Sequence, residues 1–150
     1  MSTPSYKRDP IAYRREVMAR TVAAGTGYAW AVSEQPFCDF VLTKRGTSRS
    51  HLIIAKVYEC MAPGTGDLCI DATDWVNGWL TARALACSFA VVRRTPKGVQ
   101  MMVHGVDNEG KRVDTEWSGG VIEVRIPSEW FGPEIELPNG QTWADLKVPE

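Results

Sequence analysis

No stretch of this 150-residue chain is both long and apolar. A membrane-crossing helix needs roughly 18 or more consecutive apolar residues, so a helical span is excluded. The first residues, Met1-Ser2-Thr3-Pro4-Ser5-Tyr6-Lys7-Arg8, lack the apolar centre of a signal peptide, and the expected location is cytoplasmic. A dominant charge is missing too: 17 bases stand against 18 acids, a formal net charge of −1. That excludes a protein that gathers nucleic acid by bulk charge alone. Histidine is scarce (His51 and His104), and the four cysteines contain no C-x-x-C pair. A zinc site of familiar spacing is therefore not indicated. Cys38 and Cys87 sit among apolar neighbours and read as small buried residues. Cys60 and Cys69 flank a loop, and a reducing compartment disfavours a disulfide between them. Internal repeats and low-complexity segments are lacking.

What is present is a chain of ordinary composition, 44% hydrophobic and 23% charged, long enough for one domain with a full core. Residues 1–150 read as a single domain, with 1–9 and 133–150 as irregular extensions. The charge is unevenly spread. From Glu129 onward there are five acids and one base, which leaves 16 bases against 13 acids before that point. The bases cluster around Arg14-Arg15, Lys44-Arg45, Arg93-Arg94 and Lys111-Arg112, so a basic face on a near-neutral protein is expected. Asp9-Pro10 reads as a helix start, followed by an apolar stripe of Ile11, Tyr13, Val17, Met18, Val22 and Ala23, with Gly25 and Gly27 at its end. Strands are expected over 28–32, 37–43 and 52–58, the last apolar enough for a central position. A second helix over 72–87 starts near Asp71-Ala72-Thr73-Asp74, with Thr73 or Asp74 as cap. It presents Trp75, Val76, Trp79, Leu80, Ala82, Leu85 and Ala86 as one broad apolar face. Further strands follow over 88–93, 99–106, 113–117 and 121–126, with Asp107-Asn108-Glu109-Gly110 as a hairpin turn. The order implies an α/β (α+β) fold, a mixed central sheet flanked by helices, with extra C-terminal β segments.

The chemistry concentrates in the hairpin over 37–58. An acid, Asp39, opens its first strand, and a lysine, Lys56, sits mid-way along its second. The two-residue period puts Leu52, Ile54, Lys56 and Tyr58 on one face. Metal-assisted phosphodiester hydrolysis uses carboxylates to hold the ion and a cation to orient water or stabilise charge. Ile54, beside Lys56 on that face, cannot bind metal. Further carboxylates are available from Glu34 in the preceding turn, Glu59 one step out of phase, and Glu16 on the first helix. The plainer alternative is that Asp39 caps a strand end or pairs with a nearby base, while Lys56 extends its charge from the sheet to water.

The arrangement resembles the PD-(D/E)XK nuclease superfamily, which includes Holliday-junction resolvases and restriction enzymes. The residues that carry the resemblance are Glu16 within Tyr13-Arg14-Arg15-Glu16-Val17, Cys38-Asp39-Phe40-Val41-Leu42, and Ile53-Ile54-Ala55-Lys56. Residues 74–87 then stand as the crossover helix, and 89–93 with 100–103 as the next strands, so the likeness covers roughly residues 10–105. Two positions depart from the pattern: Pro36 lies three residues before Asp39, and Ile54 stands where an acid is usual. The resemblance implies a restriction-endonuclease-like core and a magnesium- or manganese-dependent endonuclease acting on DNA phosphodiester bonds. Asp39, Lys56 and Glu16 would be catalytic, and Asp39 with Glu34 or Glu59 would hold the metal. Arg14, Arg15, Lys44, Arg45 and Arg93 would contact DNA. The alternative is a catalytically silent nuclease-like module, or an unrelated α+β module of the phage accessory type, that binds nucleic acid, a protein partner or a second copy of itself.

Overall fold

Proline has no N–H to leave unpaired, which suits the first position of a helix, and the chain turns helical at Pro10. The structure, a computed structural model, describes residues 10–33, 38–44, 52–58, 66–105 and 107–146. Helix α1 (Pro10–Thr26) buries Val17, Met18, Ala19, Thr21, Val22 and Ala23. It ends where Gly27 takes φ +78° and donates its N–H to the Ala23 carbonyl at 2.8 Å. This left-handed cap is open to glycine without steric cost.

Three antiparallel strands follow, β1 (Tyr28–Val32), β2 (Phe40–Lys44) and β3 (Leu52–Tyr58). The segments read as 37–43 and 52–57 are thus adjacent and antiparallel, as expected. The chain then forms β4 (Leu68–Asp71) and α2 (Ala72–Ala84), and returns as β5 (Ser88–Arg94), parallel to β3. Next come β6 (Gly98–Val103), antiparallel to β5, then β7 (Asp114–Ser118), β8 (Val121–Ile126) and β9 (Ile135–Glu136). Among the described residues, one sheet runs β1-β2-β3-β5-β6-β9 and a second runs β4-β8-β7. This is the mixed α+β architecture the sequence implied.

Strand alternation divides the core between the two faces of the large sheet. Ile53, Ala55 and Val57 join Phe40, Leu42, Ala90 and Val92 under α1. Ile54 joins Phe89 and Val91 under α2, together with Ile70, Val124 and Ile126 of the smaller sheet. Both faces of β3 and β5 are covered, which explains their almost unbroken apolar sequences. Each fully buried side chain of this kind contributes roughly 1.5–3 kcal/mol.

Four sequence expectations change. Helix α2 packs by a narrow stripe, Trp75, Gly78 and Ala82, while Val76, Trp79, Leu80 and Leu85 are exposed. The reason is steric: a Cβ at Gly78 would overlap the Phe89 ring, so the helix meets the sheet through its smallest residues. The helix is capped by Asp71, whose carboxylate accepts from the Thr73 N–H at 2.7 Å, rather than by Thr73 or Asp74. Asp107-Asn108-Glu109-Gly110 is not a hairpin turn, because β6 and β7 belong to different sheets. There Asn108 accepts from the Gly105 N–H at 2.6 Å and Asp107 from the Val103 N–H at 2.6 Å, so the turn closes on itself. Finally, strand β4 was not expected from the sequence; it pairs with β8.

Within the described residues the tail is anchored. Ile135–Glu136 adds a sixth strand beside β6, and the Trp143 indole donates to the Gly98 carbonyl at 2.9 Å. Trp130 is buried, whereas Trp117 is 73% exposed. Gly98 is the joint: a Cβ there would overlap the backbone oxygen of Ile135. Gly98→Ala is expected to cost about 1–3 kcal/mol in urea unfolding. It should also raise amide exchange at Leu137, whose N–H bonds Lys97. Wild-type exchange at Leu137 in the variant would refute the close approach.

Candidate functional site

Asp39 is placed by its backbone before its side chain is considered. Its carbonyl accepts from the Ser33 N–H at 2.9 Å and its N–H donates to the Ala55 carbonyl at 2.8 Å. Phe40 is also paired with Ala55. Two residues of one strand therefore oppose one of the next, a bulge that re-aims the side chain. The carboxylate is 7% exposed. Its Oδ2 accepts from the Val57 N–H at 2.7 Å, and its Oδ1 lies 3.4 Å from the Arg15 guanidinium.

Arg15 reaches it because of helix geometry. Positions 15, 18, 19 and 22 share one helical face, and Met18, Ala19 and Val22 are fully buried. Arg15 thus belongs to the sheet-facing stripe rather than to the solvated flank. Glu16, its neighbour, is partly buried, and its Oε2 is out of contact with solvent and, among the described residues, without a hydrogen-bond partner.

On the far face of β3, alternation places Ile54, Lys56 and Tyr58 together. Ile54 is 2% exposed. With Cys38, Val41, Leu52 and Leu85 it lines an apolar cleft of about 380 Å3. Burial raises the Cys38 thiol above its usual range, with the Asp39 charge adding to the rise, so Cys38 is held as a neutral thiol. The Tyr58 hydroxyl donates to Asp74 at 3.5 Å. Burial, then the charges of Asp74 and Asp39, push its ionisation far above the ordinary phenol range.

Among the described residues, the expected DNA-contacting bases do not form one cluster. Lys44 pairs with Tyr28 at the opposite end of β2, about 17 Å along the strand from Asp39. Arg14 and Lys44 are at least partly exposed. Arg93 stands apart, 3% exposed. It donates to the Gln100 side chain at 3.0 Å and to the Gly66 carbonyl at 2.5 Å, and it stacks 4.1 Å from the Phe131 ring centre. Glu34, Glu59 and Arg45 lie outside the described residues, as do His51 and Cys60.

A divalent-metal site needs several oxygen ligands with free lone pairs. The described residues do not fit one at Asp39. Both its oxygens are engaged, its neighbour on the sheet is an isoleucine in an apolar cleft, and no group of three His, Cys, Asp or Glu among the described residues is placed to hold an ion. What the sequence reading missed is the pairing partner, Arg15. Its spacing of three from Met18 was the available signal.

No protein-family model matches the chain, and none of the curated proteins does. Among solved structures it is similar to Archaeoglobus fulgidus Hjc, a Holliday junction resolvase from an archaeal hyperthermophile. The TM-score is 0.50 at 18% identity, over 77% of this chain and 95% of that one. At that identity the likeness is one of fold.

Val57 is buried, so removing its acceptor strands a donor. Asp39→Ala is expected to lose about 1–3 kcal/mol of stability in urea melts. Asp39→Asn keeps an oxygen for Val57, forfeits mainly a half-exposed ion pair, and should lose under about 1 kcal/mol. Equal losses would mean the Val57 bond carries no weight.

Proposed function

We propose that this chain is a nuclease-fold module that binds DNA without hydrolysing it through a metal at Asp39. The observation that carries this reading is the state of Asp39: its carboxylate is shared between the Val57 N–H and Arg15, with Ile54 filling the place beside Lys56. DNA as the partner rests on the fold likeness to a Holliday junction resolvase and on Arg14, Arg15 and Lys44 along α1 and β2. Phosphate contacts of that kind need no sequence information, and a module of net charge −1 would engage through these separate bases rather than through bulk charge.

A second reading has one specific observation in its favour. The Glu16 carboxylate has a buried oxygen with no hydrogen-bond partner among the described residues, as a displaced ligand of a cation would. On that reading the chain is a magnesium- or manganese-dependent endonuclease. Asp39 and Glu16, with Glu34 or Glu59, would then hold the ion. Lys56 would steady charge at the phosphate.

One experiment separates them. Duplex, four-way-junction and single-stranded DNA are incubated with the protein in magnesium or manganese, and binding is measured across a salt series. The expected result is binding without cleavage. Arg14→Ala with Lys44→Ala should flatten the salt dependence by about one unit of slope for each phosphate that is no longer neutralised. Metal-dependent cleavage abolished by Asp39→Asn and by Lys56→Ala would replace the first reading with the second. No binding at low salt would remove both.

A further inference from the structure

Helix α1 has a second working face. Tyr13, Val17, Arg20 and Ala24 recur at spacings of four, three and four, which aligns them along one side of the helix. This side differs from the stripe of Arg15, Met18 and Val22 that meets the sheet. With β1 and the C-terminal segment it lines an open cleft of about 760 Å3. Ligand pockets commonly measure roughly 300–1,000 Å3.

The cleft's lining is chemically specific. Tyr13, Tyr28 and Trp30 bring three aromatic rings, each partly rather than fully buried. Arg20, exposed at the rim, carries the charge among the described lining residues, and Asn139 and Gln141 add two side-chain amides. The wall that bears the amides is held in place. Leu137 donates to the Lys97 carbonyl at 2.9 Å on one side of the turn, and the Trp143 indole to the Gly98 carbonyl at 2.9 Å on the other. Between them Asn139 and Gly140 take φ of +61° and +65°, a left-handed pair that asparagine and glycine accept more readily than other residues. The turn is therefore built rather than incidental.

The geometry points to a binding site for a nucleoside monophosphate unit, either a free nucleotide or an unpaired nucleotide of a single strand. Aromatic rings stack on bases whatever their identity, a guanidinium pairs with phosphate through charge-assisted hydrogen bonds, and amides read the donor–acceptor edges of a base. An apolar ligand would leave Arg20 and the two amides unused. A bare inorganic anion would leave the three rings unused. The site uses Arg20 in place of Arg14, Arg15 and Lys44, so Arg20→Ala, which leaves those three bases intact, separates it from the DNA-binding reading.

The test is calorimetric titration of the full chain with AMP, with adenosine, and with a short single-stranded oligo(dA), repeated on Arg20→Ala. Arg20 is exposed, so the variant should keep the wild-type melting temperature. Saturable binding of AMP that weakens at least about tenfold in the variant, with adenosine binding unchanged, supports the free nucleotide as ligand. Saturation by oligo(dA) alone, weakened by the same substitution, supports the unpaired strand. Failure of both AMP and oligo(dA) to saturate the wild type overturns the site. So does binding that Arg20→Ala leaves intact.

Discussion

A carboxylate enclosed by a sheet must find partners for its lone pairs, and whichever donors satisfy it decide what else it can do. At Asp39 the partners come from two elements. The Val57 N–H belongs to β3 and the Arg15 guanidinium to α1, while Asp39 itself stands at the head of β2. One side chain thereby ties the helix to two strands at the point where the strands begin to pair. A divalent ion would have to displace Arg15 and compete with the Val57 N–H. Since magnesium is held by only one or two carboxylates beside waters and phosphate oxygens, the occupant of position 54 matters. An isoleucine there lowers the affinity of the site for metal and raises the value of the guanidinium as the resident counter-charge.

The same logic explains why two arginine pairs of similar appearance in the sequence have different fates. Arg14-Arg15 lies on a helix whose period carries one member toward the sheet and the other toward its flank. Arg93-Arg94 lies on a strand whose period is two, so its members face opposite sides. Arg93 enters the side shared with the smaller sheet, where the Phe131 ring, Gln100 and the Gly66 carbonyl receive it. A buried cation with such partners is part of the architecture. Arg94, on the other side, lies over the Trp143 ring at 5.8 Å, where it helps seat the C-terminal segment.

Much of the fold was legible because long apolar segments declare their period. The pairing of 37–43 with 52–57, the helix after Asp71 and the strands around 88–94 and 121–126 all follow from patterns of two or near four. Where small residues carried the packing, the pattern misled. Gly78 and Ala82 are weakly hydrophobic, yet they set the approach of α2, and the larger Trp79 and Leu80 were assigned the wrong side. The turn at 107–110 has hairpin composition, but nothing local records that its two neighbours join different sheets. Candidate site residues were legible as types, an acid and a lysine on neighbouring strands. The bulge that turns Asp39 toward Arg15 was not, because a bulge depends on how two distant segments register and leaves little trace in either alone.

The two faces of α1 bring these threads together. One face serves the sheet and delivers Arg15 to Asp39. The other, with Tyr13, Arg20 and the aromatic residues of β1, depends on the tail returning to form its opposite wall. That return rests on Gly98, which accepts the Trp143 indole and lets Ile135 approach. Gly25 does the same from the helix side, since a Cβ there would fall 2.7 Å from Ile135 Cγ2. Two glycines far apart in sequence thus clear the ground for one short strand. That strand positions the turn at 138–140 against the helix. The cleft is therefore a product of the segment after residue 133, an addition to the core of strands and helices, and a separate ligand can be accommodated there without any demand on Asp39.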